Sequence, residues 1–171
     1  IWVIARRGDS PQQAPEVVRQ STLVDYAETS TEMRFTMEGR IKARENYRVV
    51  QIHVGRDYRN ITIYEGYQGA VVRQETYLND RNAYKTFLAA LQNEGYTKAR
   101  EGSRGVDPQG ACPLGKRFRY DIVDGNDTKQ SLWSTNCGNA KGTFAGRATP
   151  VRSLFEEQIP NYRDLVKGVQ F

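Results

Sequence analysis

A chain of 171 residues, 38% apolar and 26% charged with both signs present, is long enough for one hydrophobic core and too mixed for disorder throughout. Its net charge of +5 comes from 18 Arg and 7 Lys against 20 acids, interleaved with no cationic run longer than Arg6-Arg7, so it reads either as a mixed solvated surface or as a polyanion-facing one. Two Cys and a single His exclude the usual four-ligand zinc centre.

The first residues, Ile1-Trp2-Val3-Ile4-Ala5, are apolar and run directly into Arg6-Arg7. Five such residues cannot span a bilayer, which needs about 20. They are expected to be the outer end of a membrane anchor or signal segment (residues 1–7), with Trp2 at interfacial depth; an edge strand is the alternative. Residues 8–20, with Pro11 and Pro15 and no periodicity, read as a linker. Residues 21–171 are then one extracytoplasmic domain, divisible into units 21–99 and 112–171.

A short helix is expected over Glu16 to Tyr26, with Val17, Val18, Leu23 and Val24 on its apolar side. From Met33 to Ile41 apolar residues alternate with Arg34, Thr36, Glu38 and Arg40, the period of a half-buried strand. Further strands are expected over 47–54, 59–65 and 70–77, with Val50, Ile52, Val54, Ile61 and Ile63 inward. The breaks between them are short, which favours an antiparallel meander of four strands. Asn79-Asp80 is an N-cap signal, and Ala83, Tyr84, Phe87, Leu88 and Leu91 recur at helical spacing before Gly95. That amphipathic helix should lie across the meander.

Residues 100–111 read as a loop. Phe118, Tyr120 and Ile122 alternate again, Asp124-Gly125 is a hairpin turn signal, and Thr128 to Thr135 returns as the second strand. Thr149-Pro150 reads as a helix start, with Val151, Leu154 and Phe155 apolar and Pro160 as the stop. The fold class is therefore α+β: a four-stranded antiparallel meander on an amphipathic helix, then a hairpin and a C-terminal helix.

If Asp124-Gly125 is the centre of the hairpin, partners sum to 249 in residue number, as Cys112 and Cys137 do. The two should face each other at its base as a disulfide, or join loops just outside the ladder if Pro113 and Gly115 end the pairing early. A disulfide implies an oxidising compartment. Unpaired buried thiols, or a catalytic thiol, are the alternatives.

No phosphate-binding glycine motif is present. A Ser-His-Asp triad, or a dyad with Cys112, would have to use His53, which lies between Ile52 and Val54 on the opposite face. Asn60 and Asn126 head Asn-x-Thr sequons. The remaining surface of interest is the wet side of the meander: Arg34, Arg40, Arg48, Arg59 and Arg73, with Tyr47, Tyr64 and Tyr67, lie on or beside its strands. Arg interleaved with Tyr suits an acidic glycan, a protein carboxylate or single-stranded nucleic acid. Cross-strand pairing of these arginines with Glu38, Glu65 and Glu75 is the competing use.

Several segments carry a likeness beyond their physics. Val24-Asp25-Tyr26-Ala27, Glu38-Gly39-Arg40-Ile41-Lys42-Ala43, Gly66-Tyr67-Gln68-Gly69, Ala83-Tyr84-Lys85-Thr86-Phe87-Leu88, Cys112-Pro113, Leu132-Trp133-Ser134-Thr135-Asn136-Cys137 and Gln158-Ile159-Pro160-Asn161-Tyr162 belong to this set. Together they resemble uncharacterised, membrane-anchored envelope proteins of small-genome, Saccharibacteria-type bacteria. The resemblance covers most of the chain after the linker, implies a bacterial surface location and supplies no catalytic residue and no cofactor. The function expected is non-catalytic binding of a protein or acidic envelope polymer at the cell surface. Nucleic-acid or polyanion binding on the Arg/Tyr face is the runner-up, and a hydrolase the third.

Overall fold

The computed structural model describes residues 22–101 and 107–171; the expected anchor (1–7), linker (8–20) and the first part of the first helix (16–21) lie outside the described residues. Six strands form one antiparallel sheet: β1 (Glu32–Glu38), β2 (Arg48–Val54), β3 (Tyr58–Glu65), β4 (Ala70–Leu78), β5 (Arg117–Asp124) and β6 (Asp127–Thr135). Their order is β4-β3-β2-β1-β5-β6. The expected meander and hairpin are both present, but the sheet has six strands rather than four. β5 pairs along the free side of β1, from Glu32↔Val123 to Glu38↔Arg117, so the two halves of the chain share one sheet. The contact is between segments some 85 residues apart, which alternation along either strand cannot report.

The apolar face follows from the period of two. Met33, Phe35 and Met37 stand beside Val50, Ile52 and Val54 on one side and Phe118, Tyr120 and Ile122 on the other. Against this face lie α1 (Arg81–Asn93) and α3 (Ala148–Glu157). Phe155 of α3 stacks on Phe35 at 5.5 Å and meets Phe87 of α1 edge-on at 5.1 Å, an aromatic knot at the centre of the core. α1 starts at the expected cap: the Asp80 carboxylate accepts from the amides of Asn82 and Ala83. It ends at Gly95, whose φ of +75° is the left-handed conformation a helix-terminating glycine supplies.

Other boundaries shift. The first helix is a 3-10 turn, Leu23–Glu28, closed by a Thr22/Asp25 capping box. β1 ends at Glu38, three residues early, because the chain turns away at Gly39 and the Ile41 amide donates to Pro113 instead. The expected loop 100–111 contains one helical turn, α2 (Pro108–Ala111), capped by Asp107. α3 begins at Ala148, so Pro150 falls at its third position, where the missing N–H is still costless. A turn of helix, α4 (Tyr162–Leu165), follows Pro160 as expected. No helix among the described residues is long and apolar enough to cross a membrane.

Cys112 and Cys137 are disulfide-bonded, with Cα atoms 5.9 Å apart. The route differs from the hairpin arithmetic. The turn is Gly125-Asn126, giving Asp124↔Asp127, and a bulge at Ile122/Val123 shifts the register to Arg117↔Thr135, a sum of 252. Cys112 would then oppose residue 140. It reaches Cys137 because the chain leaves the ladder at Arg117 and folds back through Pro113-Lys116 to the end of α2. Gly115 lies under the bridge: a Cβ there would come within 2.5 Å of Cys112 Sγ and 2.8 Å of Cys137 Sγ.

The two sheet edges are unlike. Along β6 the segment 140–144 closes the C-terminal half, with the Trp133 amide donating to Thr143 Oγ1 and the Phe144 amide to the Trp133 carbonyl. Thr135 Oγ1 also donates to the Ala140 carbonyl. The outer side of β4 takes no backbone hydrogen bond from the described residues.

Candidate functional site

The eight Arg and Tyr residues expected on the wet face do not share a face. β1 carries its inward residues at odd numbers and β2 at even ones, so Arg48 falls on the helix side with Val50, and Arg59 and Arg73 with Ile61 and Ile63. Of the set, Arg34 and Tyr64 lie on the open face. Arg40 is exposed in the loop after β1. Tyr47 is buried and stacks on exposed Tyr67 with ring centres 4.3 Å apart.

Three of these arginines are already paired. Arg34 Nε is 2.8 Å from Asp121, Arg48 is 2.7 Å from Glu65, and Arg73 is 3.7 Å from Glu75. The open face is in fact a lattice of internal partners. Gln51 Nε2 donates to Thr36, Tyr64 donates to Gln51, and Ser131 donates to Asp121. His53 Nδ1 lies 3.1 Å from Glu32 Oε2 and its Nε2 3.0 Å from Gln51 Oε1. Glu32 also accepts from the Tyr58 hydroxyl. These bonds, that of His53 first, hold the Glu32 carboxyl below its ordinary range against the opposing effect of burial. His53 sits in a structural pair, with no serine or cysteine among its polar partners.

Below the open face, at the β1–β5 end, Arg117 is buried. It donates to Glu38 Oε2 at 3.1 Å and to the Gly39 and Cys112 carbonyls at 2.6 and 2.9 Å. Arg119 donates to the other Glu38 oxygen at 3.1 Å. This knot ties both strands to the disulfide loop. Its chemistry is closed: the cation and carboxylate spend their hydrogen bonds on each other, on Arg119 and the Tyr47 hydroxyl, and on the backbone.

A further concavity lies elsewhere, in a cleft of about 340 Å³ that includes none of the eight Arg and Tyr residues. Its floor is Phe118, Tyr120 and Ser134, which share the helix side of β5 and β6. One wall is Lys116, Thr135 and Asn136; the other is the N-terminal part of α3, with Ala148, Thr149 and Arg152. Residues 148, 149 and 152 share a helix face by their spacing. The Asn136 side chain is fixed because its carbonyl accepts from the Lys116 amide at 2.7 Å. The Lys116 ammonium stands 4.9 Å from the centre of the Phe171 ring and has no carboxylate within 4 Å among the described residues. Arg152 Nε makes no hydrogen bond and keeps only a 3.5 Å ion contact with Glu156.

Electrostatically the cleft is positive. Two cations flank it, hydroxyls of Ser134, Thr135 and Thr149 line it, and α3 opens towards it with no acidic residue in its first turn. The Tyr120 hydroxyl lies 2.9 Å from Ser134 Oγ. Burial pushes Tyr120 up to about 12, with the Ser134 bond and the nearby Arg152 charge acting the other way. Arg152 and Lys116 were legible as cations, but nothing in their local sequence places them 36 positions apart on one cleft. Among the described residues no group of three His, Cys, Asp or Glu side chains is placed to hold a metal ion. Of the sequon residues, Asn126 is exposed at the hairpin turn and Asn60 is half-buried within β3.

Compared with known proteins, the chain matches no family model and no curated sequence.

Proposed function

We propose that the chain is a non-catalytic, extracytoplasmic domain that binds an acidic envelope polymer through the Lys116/Arg152 cleft. The observation that carries this reading is the cleft itself, in which a lysine with no carboxylate within 4 Å among the described residues and an arginine whose Nε makes only a 3.5 Å ion contact with Glu156 flank a floor of hydroxyls and aromatic rings. Such a lining gives a repeating anion two charge contacts, and gives a sugar ring flat apolar surface. The Cys112–Cys137 bond agrees with an oxidising compartment, and an N-terminal anchor upstream of or including residues 1–5 would hold the domain at the membrane surface.

The alternative polyanion, single-stranded nucleic acid on the sheet, has less support, since Arg34, Arg48 and Arg73 already hold carboxylates and Tyr47 is buried. Titration calorimetry with heparin and with poly-glutamate at low salt tests the reading. Binding should weaken steeply as salt rises, and K116A and R152A should each reduce it several-fold while leaving thermal unfolding unchanged. Binding that both variants retain in full would place the site elsewhere. A clear preference for single-stranded DNA, lost on R34A, would establish the sheet face instead.

A further inference from the structure

β4 is a nine-residue edge strand with no proline, and it exposes Val71 (57%), Val72 (53%) and Leu78 (89%). Open edges of this kind are templates for another strand unless charges, proline or a covering segment blunt them. On the C-terminal half of β6 the chain supplies such a cover; on β4 the described residues do not. We propose that β4 pairs antiparallel with β4 of a second copy of this chain, across a two-fold axis at Gln74, joining two six-stranded sheets into one.

Two independent features select that register. The first is hydrogen-bond phase. The Asn79 amide donates to the Asp57 carbonyl of the neighbouring β3 segment at 3.0 Å. With a period of two, Arg73, Glu75 and Tyr77 also turn their backbone groups inward to β3. Gln74, Thr76 and Leu78 therefore turn theirs outward, as the partners for a new strand. A two-fold axis at Gln74 places Gln74 against its own copy in hydrogen-bonding phase and sets Thr76 opposite Val72, the extra residue of the β4 bulge. The bulge opposite Ile63/Tyr64 limits regular pairing beyond Val72.

The second feature is charge. Arg73 and Glu75 are the only charged residues on β4, and both project to the helix side, 47% and 44% exposed. An axis at Gln74 sets Arg73 of each copy opposite Glu75 of the other, adding two ion pairs across the axis to the 3.7 Å Arg73–Glu75 contact within each chain. Moving the axis one residue either way puts Glu75 against Glu75 or Arg73 against Arg73, and an axis at Thr76 leaves Glu75 facing Tyr77. Like charges directly opposed are destabilising in sheets. The strand is therefore self-complementary in one register, as an isologous interface requires.

Sedimentation equilibrium of the full 171-residue chain, over micromolar to millimolar concentrations, reads the proposal directly. A reversible monomer–dimer equilibrium with no larger species is expected. R73E or E75R alone converts both ion pairs to repulsions and should weaken dimerisation by about ten-fold or more. The double variant R73E/E75R restores opposite charges and should dimerise again, and an equimolar mixture of the two single variants should form heterodimer. T76P removes an outward-facing amide while sparing the β3 ladder, and should give monomer with an unchanged circular dichroism spectrum. A chain that stays monomeric throughout overturns the proposal, whether residues 1–21 or another protein covers the edge. So does a dimer indifferent to the charge reversals.

Discussion

Arg117 and Glu38 meet across the β1–β5 pair, Nε to Oε2 at 3.1 Å, with the arginine enclosed and its remaining hydrogen bonds given to the Gly39, Cys112 and Gly115 carbonyls and the Tyr47 hydroxyl. A buried ion pair is costly to desolvate, and it holds only when the leftover donors and acceptors are satisfied. Here they are, which makes the pair a fastener between β1, β5 and the disulfide loop. Breaking one partner strands the other. R117M should destabilise the domain by about 3–5 kcal/mol. The double variant R117M/E38L should cost clearly less than the two single changes added together, as measured by urea unfolding in a double-mutant cycle. Additive losses would mean the two charges do not act as a unit.

The bridge closes a loop of 25 residues. In the chain-entropy account it should stabilise the fold by about 3–4 kcal/mol. Reduction, or the pair of changes C112S/C137S, should lower the urea midpoint accordingly without changing the spectrum of the remaining folded protein. An unchanged midpoint would show that the Arg117 knot alone holds this corner.

Gly115 tests the same corner by volume. A Cβ there meets both bridge sulfurs and Asn136 Oδ1 at 2.5 to 2.8 Å. G115A should therefore cost about 1–3 kcal/mol by overpacking. Removing the sulfurs relieves part of the clash, so the cost of G115A should fall in the C112S/C137S background.

The folded-state carboxyl of Glu32 lies below its ordinary value of 4.5, chiefly through the His53 bond. A depressed acid stabilises the fold above its unfolded pKa, and that contribution disappears as pH falls through the folded value. Stability should thus decline on acidification below about pH 4.5. E32Q should flatten that decline; an acid limb of undiminished slope would assign it to other carboxylates.

At the alkaline end the signs reverse. Burial pushes the Tyr58 and Tyr120 hydroxyls up to about 12, and raises Tyr84 and Tyr96 further. A raised phenol contributes stability that is whole below pH 10 and lost as pH rises towards the folded value. Tyrosinate absorbance should therefore lag its ordinary titration and appear together with unfolding. Smooth titration of every tyrosine near pH 10 would contradict the burial of Tyr84, Tyr96 and Tyr120.

Along single elements, the sequence of this protein was enough. Alternation from Met33 to Met37 determined which side of β1 is buried, Asp80 and Gly95 determined the ends of α1, and the two cysteines determined each other as disulfide partners. Each of those depends on neighbours a few residues away or on a pairing with no competitor. Even the split of the Arg/Tyr set between two faces was implicit in the parity of Arg48 with Val50 and of Arg59 with Ile61. What only the tertiary structure decided are the long-range contacts. These are β5 against β1, the bulge and turn that moved the hairpin register from 249 to 252, and the meeting of Lys116 with Arg152 around one cleft. Local periodicity reports which side of an element is apolar. It carries no information on which other apolar face that side will meet, because every buried face is attracted to every other with little direction. The choice among them belongs to the packing of the whole core, and the cleft is a by-product of that choice.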